Sequence, residues 1–155
     1  MAALESSVMS TDPTIVAVRT FLDLLDNEVP LSLGELAKAL DKLAVAYHEA
    51  PEGEAADKDD EPPEADYTQI YQALAERFPD LGLYGSADPL ELEGDVTLGD
   101  AIDDLADIIV DLREVVWRFD VLGAQDAYWY LNLMHFHWGA HLRELARHLH
   151  ARRFG

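Results

Sequence analysis

Apolar residues recur every three or four positions along most of this chain, and this period limits most strongly what it can fold into. The first such run follows Pro13 and comprises Ile15, Val18, Leu22 and Leu25. This spacing places the four side chains on one face of an α-helix. The same period returns in four later segments. The sequence therefore predicts an all-α fold, a bundle of four to five helices with a long C-terminal helix and an acidic loop.

Local start signals place the first three helices. Asp12 precedes Pro13, and proline suits the first turn of a helix because the N–H it lacks has no partner there. Ser32 and Glu35 have the spacing of a capping box for the second helix. Asp66 is expected to begin the third helix, since an aspartate side chain can accept from the free N–H groups of the first turn.

The last two helices are longer. Thr97 is expected to cap the fourth helix, and Gln125 or Asp126 to open the fifth. The fifth helix is expected to continue to about Arg153, which makes it the long C-terminal element.

Two segments lack the helical period. Glu49–Asp66 contains nine acidic residues, one lysine and three prolines, so it can bury too little apolar surface to offset the entropy of ordering. We expect residues 49–66 to form an acidic, mobile linker within the domain. Leu81–Val96 is expected to be an ordered loop, with a short extended piece at Leu90–Leu92.

Length and charge restrict the class of protein. A chain of 155 residues fits a single helical domain over residues 1–155. Its net charge of −20 argues against direct nucleic-acid binding and against anionic membranes, and favours a basic protein partner. The sequence has no cysteine and no run typical of a targeting or membrane-spanning segment, so we expect a cytoplasmic protein.

A row of carboxylates lies along the fourth predicted helix. Its members are Asp100, Asp103, Asp104, Asp107 and Asp111, opposite the apolar face, so we expect them to point away from the core into solvent. A cation site and a mimic of DNA phosphates are the functional alternatives. For an interaction surface the candidates are Asp103, Asp107 and Asp111.

The C-terminal helix carries a strip of polar residues beside its apolar stripe. The strip comprises Asp126, Tyr130, His137, His141, Glu144 and His148. Because successive members lie about one turn apart, His137, His141 and Glu144 are candidate metal ligands. One ion can take only two or three of them, and the remaining ligands must come from another helix.

Glu35, Asp41 and His48 are candidates for those further ligands, but the sequence does not choose among them. The structural alternative is that the strip residues satisfy one another and that His148 interacts with the helix dipole. General acid–base chemistry by the histidines is a third interpretation, because imidazole titrates near neutral pH.

The C-terminal part also shows segregated charge. From His141 to Gly155 there are four arginines and one acid, so this end can cover an acidic loop of its own chain or of a neighbouring copy. Trp129 lies about opposite Trp138 on the helical wheel, at about 100° per residue. Trp138 is therefore expected in the core, and Trp129 is the candidate interface residue. These features are compatible with a homo-oligomer.

Three segments resemble a known family. They are LGLYGSADPLE (Leu81–Glu91), GDAIDDLADIIVDLREVV (Gly99–Val116) and HFHWGAHLRELARHLH (His135–His150). In these runs the chain is similar to small bacterial proteins grouped as domain of unknown function 5063. The resemblance covers roughly Pro13 to His150 and implies an all-α fold with no assigned activity. It would place any shared centre around His137, Trp138, Gly139 and His141.

Together these features predict a protein–protein interaction or regulatory module without catalysis or a cofactor of its own. The first alternative is a metal- or histidine-dependent enzyme centred on the C-terminal helix, with a divalent metal at His137 and His141. The second alternative is an acidic DNA mimic.

Overall fold

The computed structural model describes residues 10–155, which form six helices and two short strands. In chain order these are α1 Pro13–Asp26, α2 Leu33–Glu49, α3 Tyr67–Arg77, β1 Leu83–Ser86, β2 Thr97–Asp100, α4 Ala101–Val121, α5 Ala124–Leu133 and α6 His135–Phe154. The predicted all-α fold with a long C-terminal helix is confirmed. The predicted domain begins at Met1, and residues 1–9 lie outside the described residues.

Helix α4 lies at the centre of the bundle. It packs against α1, α3, α5 and α6, and Leu105, Ile108 and Leu112 on it are fully buried. From α6, Trp138 and Leu145 enter the same core with no exposed surface. The expected core position of Trp138 is therefore confirmed.

The predicted starts of the first three helices are confirmed by their caps. The side chain of Asp12 accepts from the N–H of Ile15 at 3.1 Å. Ser32 and Glu35 form the reciprocal capping box, and Asp66 caps α3. These signals depend only on residues three positions apart, so they can be read from the sequence.

The start of α4 differs from the prediction. Thr97 lies in β2, and Asp100 is the cap of α4. The strands pair antiparallel with Tyr84 opposite Gly99. A Cβ atom at Gly99 would lie 2.3 Å from the Tyr84 ring, so a larger residue there would have to displace this ring. Leu90–Leu92, predicted as extended, lies in the connection between the strands.

The predicted fifth helix is interrupted. Met134 ends α5 and begins α6, with φ −87° and ψ 1°. The buried indole N–H of Trp138 donates to the carbonyl oxygen of Leu131 at 3.0 Å. A continuous helix would use that carbonyl for the N–H of His135. Six helices are therefore present in residues 10–155 where four to five are predicted.

The acidic segment has no helix or strand between Ala50 and Asp66, but its first part contacts α5. The N–H of Glu54 donates to the carbonyl oxygen of Gln125 at 3.0 Å, and that of Ala56 donates to Asp126 at 2.9 Å. The expected mobility of the segment stays a prediction. These contacts show that residues 54–56 of the segment are hydrogen-bonded to the start of α5.

No helix within residues 10–155 combines the length and the apolar character needed to cross a lipid bilayer.

Candidate metal centre

The prediction that the acidic row of α4 points into solvent is wrong. Asp104 and Asp111 are 4% and 5% exposed, and Asp103 and Asp107 are half-buried. The physical reason is the central position of α4, because α6 and the hairpin cover the side that a wheel of α4 alone would assign to solvent. The row is therefore unlike the free line of charges that a DNA mimic requires.

Two histidines of α6 meet this row through their Nδ1 atoms. Nδ1 of His137 lies 2.7 Å from Oδ2 of Asp111, and Nδ1 of His141 lies 2.7 Å from Oδ1 of Asp104. An ionised carboxylate only accepts hydrogen bonds, so Nδ1 of each ring carries the hydrogen. In a neutral ring the lone pair is then on Nε2.

Both Nε2 atoms face a single carboxylate, that of Asp107. Nε2 of His141 lies 3.1 Å from Oδ2 of Asp107, and Nε2 of His137 lies 3.9 Å from its Oδ1. The two rings are nearly perpendicular, with centroids 4.9 Å apart. Two imidazole nitrogens and one carboxylate thus converge on one small volume, which we call the His–Asp centre (Asp107, His137 and His141).

Three tyrosines donate to the remaining acids of the row. The hydroxyl of Tyr71 donates to Asp100 at 2.6 Å. Tyr67 donates to Asp103, and Tyr84 donates to Asp104. Burial, followed by these hydrogen bonds, raises the pKa of Tyr67 and Tyr84, so both hydroxyls stay protonated as donors at neutral pH. They fix the acids without adding positive charge.

Burial also changes the acids and the bases of the centre. Loss of hydration raises the pKa of Asp107 and of Asp111 above its usual value. The hydrogen bond to Asp104 raises the pKa of the His141 imidazole, and this effect exceeds that of burial. Without a cation Asp107 and His141 therefore retain protons more strongly than free side chains do.

Two groups of side chains in the described residues have ligand atoms close enough to hold one ion. The first is Asp107, His137 and His141, and the second is Asp103, Asp104 and His141; within each group the ligand atoms lie within 4.8 Å of one another. In the second group Asp104 already accepts from His141. The first group leaves both Nδ1 hydrogen bonds intact, so it is the better candidate.

The other predicted ligand, Glu144, lies elsewhere. It accepts from the hydroxyl of Ser86 at 3.0 Å and belongs to neither group. Nε2 of the buried His148 donates to the carbonyl oxygen of Leu81 at 2.7 Å.

The three residues named as candidates for the further ligands also lie outside the His–Asp centre. Among the described residues Glu35, Asp41 and His48 belong to neither group of possible ligands. The carboxylate that lies close to both histidines comes from α4 instead, as Asp107.

Trp129, the predicted interface residue, is half-buried by its own chain. The guanidinium of Arg118 lies 5.7 Å from its ring centroid. A Cβ atom at Gly53 would lie 2.5 Å from the backbone nitrogen of Trp129. The acidic segment therefore packs against the backbone of Trp129.

Asp107 is the candidate ligand that the histidine strip does not reveal. The sequence does contain a signal for this pairing. Asp104, Asp107 and Asp111 follow one another at intervals of three and four residues, and His137 and His141 are four residues apart, so each set lies on one face of its helix. Matching a carboxylate row on one long helix to an imidazole row on another would have paired them.

Comparisons with known proteins describe the fold and leave the activity open. A model of the family described as Domain of unknown function (DUF5063) matches residues 14–154. The chain is similar in structure to protein BF1032 from Bacteroides fragilis, a structural genomics target. The TM-score is 0.71 at 20% identity, over 92% of this chain and 91% of that one. No curated protein matches.

Proposed function

This chain belongs to the family of the domain of unknown function DUF5063, and we propose that it is a metal-dependent protein that binds one divalent transition-metal ion at Asp107, His137 and His141. The observation that carries the proposal is the convergence of two imidazole Nε2 atoms on one carboxylate, at 3.1 Å and 3.9 Å. This arrangement combines residues of two helices that are far apart in sequence.

The Nδ1 partners support metal binding. Histidines that bind a metal through one nitrogen usually donate from the other nitrogen to a carboxylate or carbonyl, which fixes the ring and increases its basicity. His137 and His141 both have such a carboxylate, in Asp111 and Asp104. The supporting carboxylates are buried, so they hold the rings in place.

The spacing of the three ligands fits a common ion. Two ligands bonded at about 2.1 Å to one ion lie about 3.0–3.4 Å apart in octahedral or tetrahedral geometry. The distance of 3.1 Å from Nε2 of His141 to Oδ2 of Asp107 falls in this range. The distance of 3.9 Å from Nε2 of His137 to Oδ1 of Asp107 lies above it, so His137 must move closer when the ion binds.

Charge supports a divalent cation. Asp103, Asp104, Asp107 and Asp111 contribute four negative charges to one strip of α4, and His137 and His141 supply at most two positive charges when protonated. Buried carboxylates without a compensating charge are costly. An ion with two positive charges compensates them without protonating the histidines.

The ligand set favours one class of ion. Imidazole suits zinc, iron, nickel and copper, and mixed nitrogen and oxygen ligands disfavour calcium and magnesium. Three protein ligands leave coordination positions for water or substrate. The side chains of His137 and Asp107 are 36% and 23% exposed, so these positions are accessible, as in catalytic sites. Such an ion would activate a bound water or polarise a substrate oxygen.

The test is direct measurement of metal binding. Chelator-treated protein is titrated with zinc, manganese, nickel and iron(II) at pH 7.5, and binding is followed by calorimetry and by elemental analysis after gel filtration. We expect one equivalent of at least one ion. The variants Asp107→Asn and His141→Gln should lose binding, whereas His150→Gln, at an exposed histidine of α6, should retain it.

Failure of all four ions to bind wild-type protein would contradict the proposal. Equal loss of binding in His150→Gln would show that the ion sits at another histidine.

The protein–protein interaction predicted from the charge is a second candidate, favoured by the exposed apolar residues of the hairpin. A basic protein partner and a cytoplasmic location belong to this proposal, and the location fits a chain without cysteine.

A further inference from the structure

The connection between β1 and β2 exposes aliphatic side chains. Leu90 and Leu92 are 89% and 97% exposed, the highest values among the large apolar side chains of residues 10–155, and Val96 and Leu98 are also largely exposed. We call these four residues the hairpin tip. Exposed apolar residues that form a patch usually mark a contact surface.

Acidic residues surround the hairpin tip. They are Asp88, Glu91, Glu93 and Asp95, all exposed. Among the described residues none of them belongs to an ion pair. The hairpin tip thus exposes apolar side chains with acidic sequence neighbours that form no ion pair among the described residues, and this combination fits a partner surface that is basic and apolar.

The C-terminal end of α6 has the opposite character. Arg147 and Arg153 are exposed and form no ion pair among the described residues. Phe154 beside them is 67% exposed. We call these three residues the basic end.

Val96 of the hairpin tip and Arg147 of the basic end line one cleft, whereas the guanidinium of Arg153 lies 3.5 Å from the Cβ position of Gly34 at the start of α2. A cleft of about 300 Å³ separates Ala87 and Val96 of the hairpin from Arg147 and Ala151 of α6. Arg152 holds the helix near β1, because its guanidinium donates to the carbonyl oxygen of Leu81 at 3.0 Å. Opposite charges are therefore neighbours in one chain without pairing within it.

We propose that two copies of this chain form a symmetric dimer in which the hairpin tip of each covers the basic end of the other. A twofold axis brings two neighbouring patches of one copy onto the same two patches of the second copy, so both contacts form at once. The apolar side chains lose water, and the acidic rim faces arginines that have no acid of their own.

The test is sedimentation velocity at protein concentrations from about 10 to 200 µM, the range in which a moderate dimer changes its populations. We expect wild-type protein to be mainly dimeric at the upper end. Leu90→Ser with Leu92→Ser should be monomeric throughout. Leu133→Ser, at an exposed leucine of α5, is the matched control and should remain dimeric.

A charge exchange tests the pairing. Glu91→Arg with Glu93→Arg changes the net charge from −20 to −16, which reduces overall repulsion, yet it should abolish the dimer. Adding Arg147→Glu and Arg153→Glu restores −20 and should restore dimerisation. Circular dichroism confirms folding of each variant. A monomeric wild type at all concentrations, or a dimer that survives both tip variants, would overturn the proposal.

Discussion

The imidazole of His137 donates through Nδ1 to Asp111 at 2.7 Å, and Asp111 is almost fully buried. A buried carboxylate needs its hydrogen bonds, since an unpaired one costs free energy of folding. The pair therefore fixes the ring, and its Nε2 faces Asp107. In this arrangement Asp111 positions a ligand without being one.

The first prediction concerns this positioning. Asp111→Asn keeps an acceptor of similar shape but removes the negative charge of the carboxylate that accepts from Nδ1 of His137. We expect zinc affinity to fall about 10- to 100-fold, the usual effect of losing such a partner, with the fold retained. Calorimetry measures the affinity, and Asp60→Asn, in the exposed acidic segment, is the control. Unchanged affinity in Asp111→Asn would show that Asp111 does not position the ligand.

A second prediction follows from the raised pKa of His141. A base whose pKa is higher in the folded state stabilises the fold fully below its unfolded value, near 6.5, and this contribution disappears as pH rises through the folded pKa. In chelator, the stability advantage of wild type over His141→Gln should therefore be larger at pH 6 than at pH 8.5.

Urea unfolding at both pH values measures this advantage. The comparison with His141→Gln cancels contributions from groups that do not interact with His141, including His135, whose pKa burial lowers. An advantage that grows with pH in the absence of metal would contradict the assignment. Zinc should add more stability at pH 8.5 than at pH 6, because protons compete for the ligands.

Local signals explain why most of the fold is predictable. The caps at Asp12, Ser32 and Asp66 and the apolar period each involve residues within one or two turns. The start of α4 is not predictable in this way, because Thr97 also suits a cap. Its place in β2 depends on pairing with Ser86, and that pairing is a tertiary contact.

The candidate site is half predictable for the same reason. His137 and His141 follow from helical geometry, since they lie one turn apart on α6. Glu144 does not join them because its carboxylate accepts a hydrogen bond from Ser86 of β1 instead. Asp107 takes its place because α4 packs against α6. This packing brings together side chains that lie 30 residues or more apart in sequence. No pattern within one helix contains that information.

A third prediction tests the interruption between α5 and α6. Trp138→Phe removes the indole N–H that donates to Leu131 and leaves a cavity in the core. We expect a cost of about 1–3 kcal/mol from the unpaired carbonyl and lost packing. The same change at half-buried Trp117 should cost clearly less. Urea unfolding measures both, and equal costs would show that the hydrogen bond of Trp138 adds no stability.

The last prediction concerns the attachment of the acidic segment at Gly53. This glycine has φ +74°, and a Cβ atom there would lie 2.4 Å from the carbonyl oxygen of Gln125. Gly123 has φ +106° with nothing within 4 Å of its Cβ position, so it is a matched control for backbone strain. Gly53→Ala should therefore destabilise by about 1–3 kcal/mol more than Gly123→Ala, because backbone atoms of α5 must move or the segment must detach. Thermal and urea unfolding compare the two variants, and proteolysis shows whether the segment has detached. If both variants lose the same stability, the contact with Gln125 contributes nothing, and the mobility predicted from the charge then extends over the whole of residues 49–66.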